Sequence, residues 1–123
     1  MSDSQSIIVL EDDPDAIRLY QKALGNSGYD IYPVSSIAAA DALLSEQTFE
    51  LCICDMRLGG EHGSDFLTQR FEDLHARGTK VIVVSGNPEY RPFCEELGVE
   101  FYLQKPISLA QLVVLVSRLL KAS

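Results

Sequence analysis

Basic residues are scarce in this sequence. Ten lysines and arginines stand against eighteen aspartates and glutamates over 123 residues, a formal net charge of −8. Nucleic acid and anionic membrane surfaces both call for a basic face, so neither is expected as a direct partner. Cysteine is scarce too, and three residues, an odd number, build no disulfide framework. Cys52 and Cys54 flank Ile53 in an apolar run, so in a strand they point to one side. As a metal pair they lack the two further ligands of a zinc site. Buried, reduced thiols in a cytoplasmic setting are the expectation. Long apolar runs are missing altogether: residues 1–6 are polar, nothing reads as a signal peptide, and no stretch suits a membrane span. Linkers, repeats and low-complexity segments are also lacking, which predicts one domain over residues 1–123. Apolar residues at 46% and charged residues at 23% are the balance of a globular chain with a real core.

What is present is an alternation of short apolar runs with longer amphipathic ones. Ser6–Leu10 reads as a first strand, and Pro14 to about Ser27 as a helix with Ala16, Tyr20, Ala23 and Leu24 on one face. Ile31–Val34 is a second, weaker strand, and Ser36 caps a helix to about Glu46. Leu51–Cys54 is an apolar strand closed by Asp55. The glycine-rich stretch from Arg57 to Gly63 reads as a loop, and a helix carrying Phe66, Leu67, Phe71 and Leu74 stops near Gly78. Val81–Val84 is a fourth strand, closed by Ser85. A poorly patterned segment with Pro88 and Pro92 runs to Gly98, then a short strand Phe101–Leu103 precedes Lys105-Pro106. Ser108 caps a last helix to about Lys121. Five strands alternating with five helices predict an α/β fold, a parallel sheet with helices on both faces and right-handed crossovers.

The first strand organises the chain. Ile7-Ile8-Val9-Leu10 is too short for a helix and suits a strand buried on both faces. Glu11, Asp12 and Asp13 follow at once, and Pro14 then stands where a helix begins, with Asp13 placed to cap it. Two like charges about 4 Å apart repel by roughly 4 kcal/mol at an effective dielectric near 20. The cluster is either a solvated acidic turn with an N-cap or a site for a hard divalent cation, Mg²⁺ first.

The other strand ends sharpen that choice. The third strand ends in Asp55, the fourth in Ser85 and the fifth in Lys105. In a doubly wound sheet these ends share one edge, where ligands bind. Each residue alone has a plain structural reading, as a turn cap, a strand end or a surface lysine. Together, acids with a hydroxyl and an ammonium suit a phosphoryl group, because these donors neutralise its equatorial oxygens.

On these residues the chain resembles the receiver domains of two-component response regulators over essentially its whole length. The resemblance rests on Glu11 and Asp12 after the first strand, Asp55 after the third, Ser85 after the fourth and Lys105-Pro106 after the fifth, with similar spacings, and on Gly63. It implies a flavodoxin-like (βα)5 three-layer sandwich with strand order 2-1-3-4-5. It also implies that Asp55 accepts a phosphoryl group from a sensor histidine kinase or a histidine phosphotransfer protein. Mg²⁺ would be held by Asp12, Asp55 and the backbone carbonyl of Arg57, with Glu11 reaching it through water. Lys105 would pair with phosphoryl oxygens, Ser85 would bond one of them, and Tyr102 would be the switch aromatic. The peptide bond before Pro106 would be cis. The protein would be regulatory rather than an enzyme, with at most self-phosphorylation from small phosphodonors and autodephosphorylation.

Two features depart from the family pattern. Gly59 stands where proline is common, so the loop after Asp55 should be looser, and the Ser85–Lys105 stretch is a little short. Rival readings are weaker on the residues. An aspartyl-nucleophile phosphatase or phosphotransferase resembles a pattern with a second acid where this chain has Arg57. A flavodoxin-type cofactor site wants a phosphate-cradling loop where this chain has three acids. A degenerate receiver acting only as a docking module would not need the full set of Asp12, Asp55, Ser85 and Lys105. A Ser85–His62–Asp55 relay lacks the glycine that precedes a nucleophile elbow, and His62 is expected to face water.

Two expectations concern surfaces. On the last helix Leu109, Leu112, Val113, Val116, Leu119 and Leu120 form the core stripe, which leaves Val114 and Leu115 for a dimer or partner surface. In the fourth helix, Asn87-Pro88 or Pro92 could be the start. Either way one to two turns remain before Gly98, and Gly86 to Arg91 should be an irregular, mobile loop attached to Ser85.

Overall fold

A computed structural model describes residues 4–121 of the chain. Its main sheet has five parallel strands: β1 (Ser6–Leu10), β2 (Asp30–Val34), β3 (Leu51–Asp55), β4 (Lys80–Ser85) and β5 (Phe101–Gln104). Their spatial order is β2-β1-β3-β4-β5, so the expected topology is found. Pro33, which cannot donate to a ladder, lies in β2 at the sheet edge, where strand prolines are tolerated. The helices are α1 (Pro14–Gly25), α2 (Ile37–Glu46), α3 (Gly63–Ala76), α4 (Arg91–Leu97) and α5 (Leu109–Leu120).

Two apolar clusters make the layers. Ile7, Val9, Leu51, Ile53, Ile82 and Val84 pack with Tyr20 and Leu24 of α1 and with Leu112, Val116 and Leu120 of α5. Ile8, Leu10, Cys52, Cys54, Val81 and Val83 pack on the other face with Leu44 of α2, Phe66, Leu67 and Leu74 of α3, and Cys94 of α4. Strand side chains alternate between these faces, as the pleat requires. Cys52 and Cys54 do share a side, and burial pushes the Cys52 thiol up to about 12. All three thiols are free.

Three expectations need correction. The stretch after Asp55 is not a loose loop: Arg57–Leu58 and Glu61–His62 pair as a small antiparallel ribbon. Its tight turn uses Gly59 at φ +60°, a left-handed conformation that a proline there could not adopt. The 86–91 segment is more regular than expected. Asn87 caps a 3-10 turn over Pro88–Tyr90, and that turn leads directly into α4, with Pro92 in the first turn, where a missing N–H costs nothing. Both candidate starts are therefore used, one after the other. On α5, Leu115 is half-buried against the second cluster rather than lying outside the stripe, while Val114 is 52% exposed.

Candidate functional site

The pleat that builds the core also sorts the site. The sheet ladder runs on past the strand ends: the Glu11 N–H donates to the Val34 carbonyl at 3.0 Å, and the Lys105 N–H to that of Ser85 at 2.8 Å. Stepping by two from Ile7 and Val9 reaches Glu11, from Leu51 and Ile53 reaches Asp55, and from Phe101 and Leu103 reaches Lys105. These three share the α1/α5 side. Stepping from Val81 and Val83 reaches Ser85, and Tyr102, paired with Val83, lies on the same α4 side. Two functional groups thus arrive on opposite faces of one sheet edge, around a crevice of about 510 Å³ lined by Glu11, Asp12, Asp13, Asp55, Arg57, Ser85, Asn87 and Lys105.

Asp55 is 5% exposed and both of its oxygens are engaged. Oδ2 accepts from Lys105 Nζ at 2.5 Å, and Oδ1 from the backbone N–H of Arg57 at 2.9 Å. Partial burial pulls the Lys105 ammonium down. The hydrogen bond to Asp55 and the charges of Asp55, Glu11 and Asp13 outweigh it, and the net direction is upward. Glu11, 2% exposed, folds back so that Oε2 accepts from the N–H groups of Asp12 and Asp13 at 3.2 and 3.3 Å. Its Oε1 is buried with no hydrogen-bond partner. Burial first, then the neighbouring Asp55 carboxylate, push Glu11 up to about 7, against the opposing pull of the Asp13 N–H and Lys105. Asp13 caps α1 by accepting from the Asp15 N–H at 3.0 Å. Asp12 is exposed at the crevice, close enough to Gly59 that a Cβ there would stand 3.3 Å from its Oδ2.

An all-oxygen set with a buried, orphaned carboxylate oxygen suits a hard divalent cation. Among the described residues no three acidic, histidine or cysteine side chains close on one point by themselves. A cation here would take the Asp12 and Asp55 carboxylates, the Arg57 carbonyl and water, which is how Mg²⁺, reluctant to dehydrate, is commonly held. The backbone close to this set is tight. The Gly63 N–H donates to the Met56 carbonyl at 2.9 Å, and a Cβ on Gly63 would lie 2.3 Å from the Asp55 carbonyl oxygen. Only glycine lets α3 start this close to the end of β3.

On the other face, Ser85 Oγ donates to the Asn87 carbonyl at 3.2 Å and accepts from the Asn87 N–H at 3.0 Å. The Tyr102 hydroxyl donates to the same carbonyl at 2.8 Å. The Arg91 guanidinium lies 5.4 Å from the centroid of the half-buried Tyr102 ring. The sequence shows Asn87 only as a helix cap. Its role as shared acceptor belongs to its backbone, which no residue type announces. The Lys105–Pro106 peptide bond is cis. His62 is exposed in the ribbon opposite Arg57, and the Ser85 hydroxyl is engaged by Asn87, so no Ser–His–Asp relay is formed.

The response regulator receiver domain family matches residues 7–117. Among curated proteins, the alginate biosynthesis transcriptional regulatory protein AlgB of Pseudomonas aeruginosa is 36% identical over 114 residues, 90% of this chain and 25% of that protein. The response regulator protein PilR of the same species is 28% identical over 118 residues, 95% of this chain and 26% of that protein. The chain therefore spans about a quarter of the length of these relatives. Among solved structures, the receiver domain of the TMAO respiratory system response regulator TorR superposes with a TM-score of 0.84 at 27% identity, covering 94% of this chain and 96% of that one. The signal receiver domain of a LuxO repressor protein from Vibrio parahaemolyticus gives 0.84 at 25% identity, over 96% of this chain and 91% of that one. With the sheet order, the acid edge and the family match in agreement, the chain belongs to the receiver domains of response regulators, the proteins of two-component signalling.

Proposed function

We propose that residues 1–123 act as one phosphoacceptor domain in which Asp55 takes a phosphoryl group from the phosphohistidine of a sensor histidine kinase or a histidine phosphotransfer protein. The observation that carries this reading is Asp55 itself: a buried carboxylate at a strand end, held on one oxygen by an ammonium and on the other by a backbone N–H, amid further acids. In the transfer, a carboxylate oxygen of Asp55 attacks phosphorus. The P–N bond breaks, its electron pair stays on the imidazole nitrogen, and an acyl phosphate results. Mg²⁺, held by Asp12, Asp55 and the Arg57 carbonyl with Glu11 acting through water, would neutralise charge on the transferring oxygens. Lys105 exchanges its Asp55 oxygen for a phosphoryl oxygen, a fixed cation aimed where charge develops.

Ser85 then turns its hydroxyl from the Asn87 carbonyl to a phosphoryl oxygen. That removes one of two donors from the carbonyl that also holds Tyr102, so residues 86–92 and Tyr102 rearrange together. This movement resets a partner surface on the α4, β5 and α5 side; the effector is a protein of unassigned identity. Free buried thiols fit a reducing, cytoplasmic setting, and no described helix is long and apolar enough to cross a membrane.

The test is incubation with acetyl or carbamoyl phosphate, with and without Mg²⁺, followed by intact mass. One acid-labile phosphoryl group is expected, dependent on the cation and lost in Asp55→Asn, whose amide is not a competent nucleophile. Equal labelling of Asp55→Asn and wild type would sink the assignment.

A further inference from the structure

Helix α2 begins in an unusual way. Its own cap is ordinary: Ser36 Oγ accepts from the Ala39 N–H at 3.1 Å. Its first turn, however, holds no acidic residue to meet the positive end of the helix. The missing charge comes from elsewhere in the chain. Glu61 Oε1, in the ribbon after Asp55, accepts from the backbone N–H of Ile37 at 3.0 Å, across 24 residues of sequence. The same short ribbon carries Arg57, whose N–H holds Asp55 Oδ1, and its turn places Gly59 where an added Cβ would stand 3.3 Å from the Asp12 carboxylate. Leu58, 2% exposed and paired with Glu61, anchors it in the core below α2 and α3.

We propose that Glu61 is a positioning residue for the cation site, fixing the ribbon that presents the Arg57 carbonyl, and whose Gly59 turn borders Asp12, by tying it to the N-terminus of α2. This rests on the reading of Asp12, Asp55 and Arg57 as the Mg²⁺ set. The physical basis is that a ribbon with only two residue pairs is not stable alone. Its far strand runs directly into α3, whose Gly63 N–H bonds the Met56 carbonyl, and the exposed Glu61 carboxylate on the N-terminus of α2 adds a tie to a second helix. The coupling is reciprocal: whatever Glu61 contributes to cation affinity, the cation returns to the Glu61–Ile37 bond. Loading of the acid pocket is thereby felt at α2, on the opposite side of α3 from the Ser85–Tyr102 switch.

The experiment is Mg²⁺ titration by calorimetry on wild type, Glu61→Ala and Glu61→Gln, together with amide exchange at Ile37. Glu61→Ala should bind Mg²⁺ about fivefold more weakly, the low end of usual coupling strengths. Glu61→Gln keeps an acceptor oxygen and should recover most of the affinity. In wild type, Mg²⁺ should slow exchange at Ile37; in Glu61→Ala it should not. A merely structural role would lower the melting temperature of Glu61→Ala and leave Mg²⁺ affinity unmoved. That result, or an Ile37 amide indifferent to Mg²⁺ in wild type, overturns the proposal. If wild type itself binds no Mg²⁺, the cation reading fails and the Glu61 proposal falls with it. If wild type binds and Glu61→Ala binds equally, only the proposal for Glu61 fails.

Discussion

Two segments leave the acid edge on either side of Asp55, and they are held in different ways. The one after β3 is fixed by ribbon pairing, by the buried Leu58, by the Gly63–Met56 hydrogen bond and by Glu61 on α2. The one after β4 is hydrogen-bonded to the sheet edge through Asn87, which exchanges hydrogen bonds with Ser85 and receives the Tyr102 hydroxyl; its other ties are side-chain packing, with Arg91 over the Tyr102 ring and Tyr90 on the core. Several independent ties make the first segment a fixture. Three bonds converging on one residue make the second a unit that lets go together, because two donors share one carbonyl. On the proposed function, the first segment would present a cation ligand and the second would report phosphorylation, which matches the denser ties of the first.

The largest expected effect breaks the fixture. A Cβ at residue 63 would meet the Asp55 carbonyl oxygen at 2.3 Å and the Met56 Cα at 2.9 Å, and both are backbone atoms. Gly63→Ala should therefore destabilise the fold by about 3 kcal/mol, at the upper end of overpacking costs. It should also displace Asp55, lowering phosphoryl uptake beyond what stability explains. Urea midpoints and acetyl phosphate labelling measure the two. A midpoint equal to wild type would mean that α3 and β3 separate easily, and the contrast between the segments would be lost.

A smaller effect is expected at Glu11, at the end of β1 beside Asp55. Its folded-state pKa is raised from 4.5 to about 7 by burial and by Asp55. For an acid raised in the fold, the stability present below about 4.5 is lost as pH rises through 7. Metal-free protein should lose stability over that window, and Glu11→Gln should lose less. The gain of Glu11→Gln should be on the order of 1–2 kcal/mol at pH 8 and vanish near pH 4. Thermal melts in a chelator across pH decide it. A gain independent of pH would show that the carboxylate is not destabilising where it sits.

The reporting side gives a smaller change still. Tyr102→Phe removes one donor from the Asn87 carbonyl, a net loss of about 1 kcal/mol. It should raise amide exchange across residues 86–91 and leave the 57–63 segment untouched. Equal loosening of both segments would contradict their independence.

How much of this was legible in the sequence follows from which interactions are local. β1, β3 and β4 are short apolar runs, and period two carries each run onward to Glu11, Asp55 and Ser85, so the acid edge could be read directly. The ribbon could not. Two-residue strands have no periodicity, and the Glu61–Ile37 bond joins positions 24 residues apart. The 3-10 turn was hidden for a different reason. Asn87-Pro88 and Pro92 each signal a helix start, and the sequence does not say that a tight turn lets the chain use both. Leu115 falls outside the narrow stripe that a helical wheel assumes, yet it is half-buried. It lines a hollow alongside Tyr102 and Leu103 of β5.

That hollow distinguishes Leu115, which lines it, from Val114, which does not, and it sets the smallest prediction. Leu115 is half-buried against the α1/α5 cluster and shares the hollow with Tyr102, so a charge there would disturb packing as well as any partner contact. Val114, 52% exposed, faces away from both apolar clusters and tests the surface alone. Val114→Lys should alter stability by no more than about 0.5 kcal/mol, as surface changes usually do. If the α5 face meets a second copy or an effector once residues 86–92 and Tyr102 rearrange, Val114→Lys should weaken that contact only in the activated protein. Sedimentation with and without beryllofluoride and Mg²⁺ measures self-association in both states. An activation-dependent dimer lost in Val114→Lys would tie the moving segment to this face. A wild type that dimerises on activation and a Val114→Lys protein that does so equally would leave Val114 an ordinary exposed valine and put the readout elsewhere on the moving side.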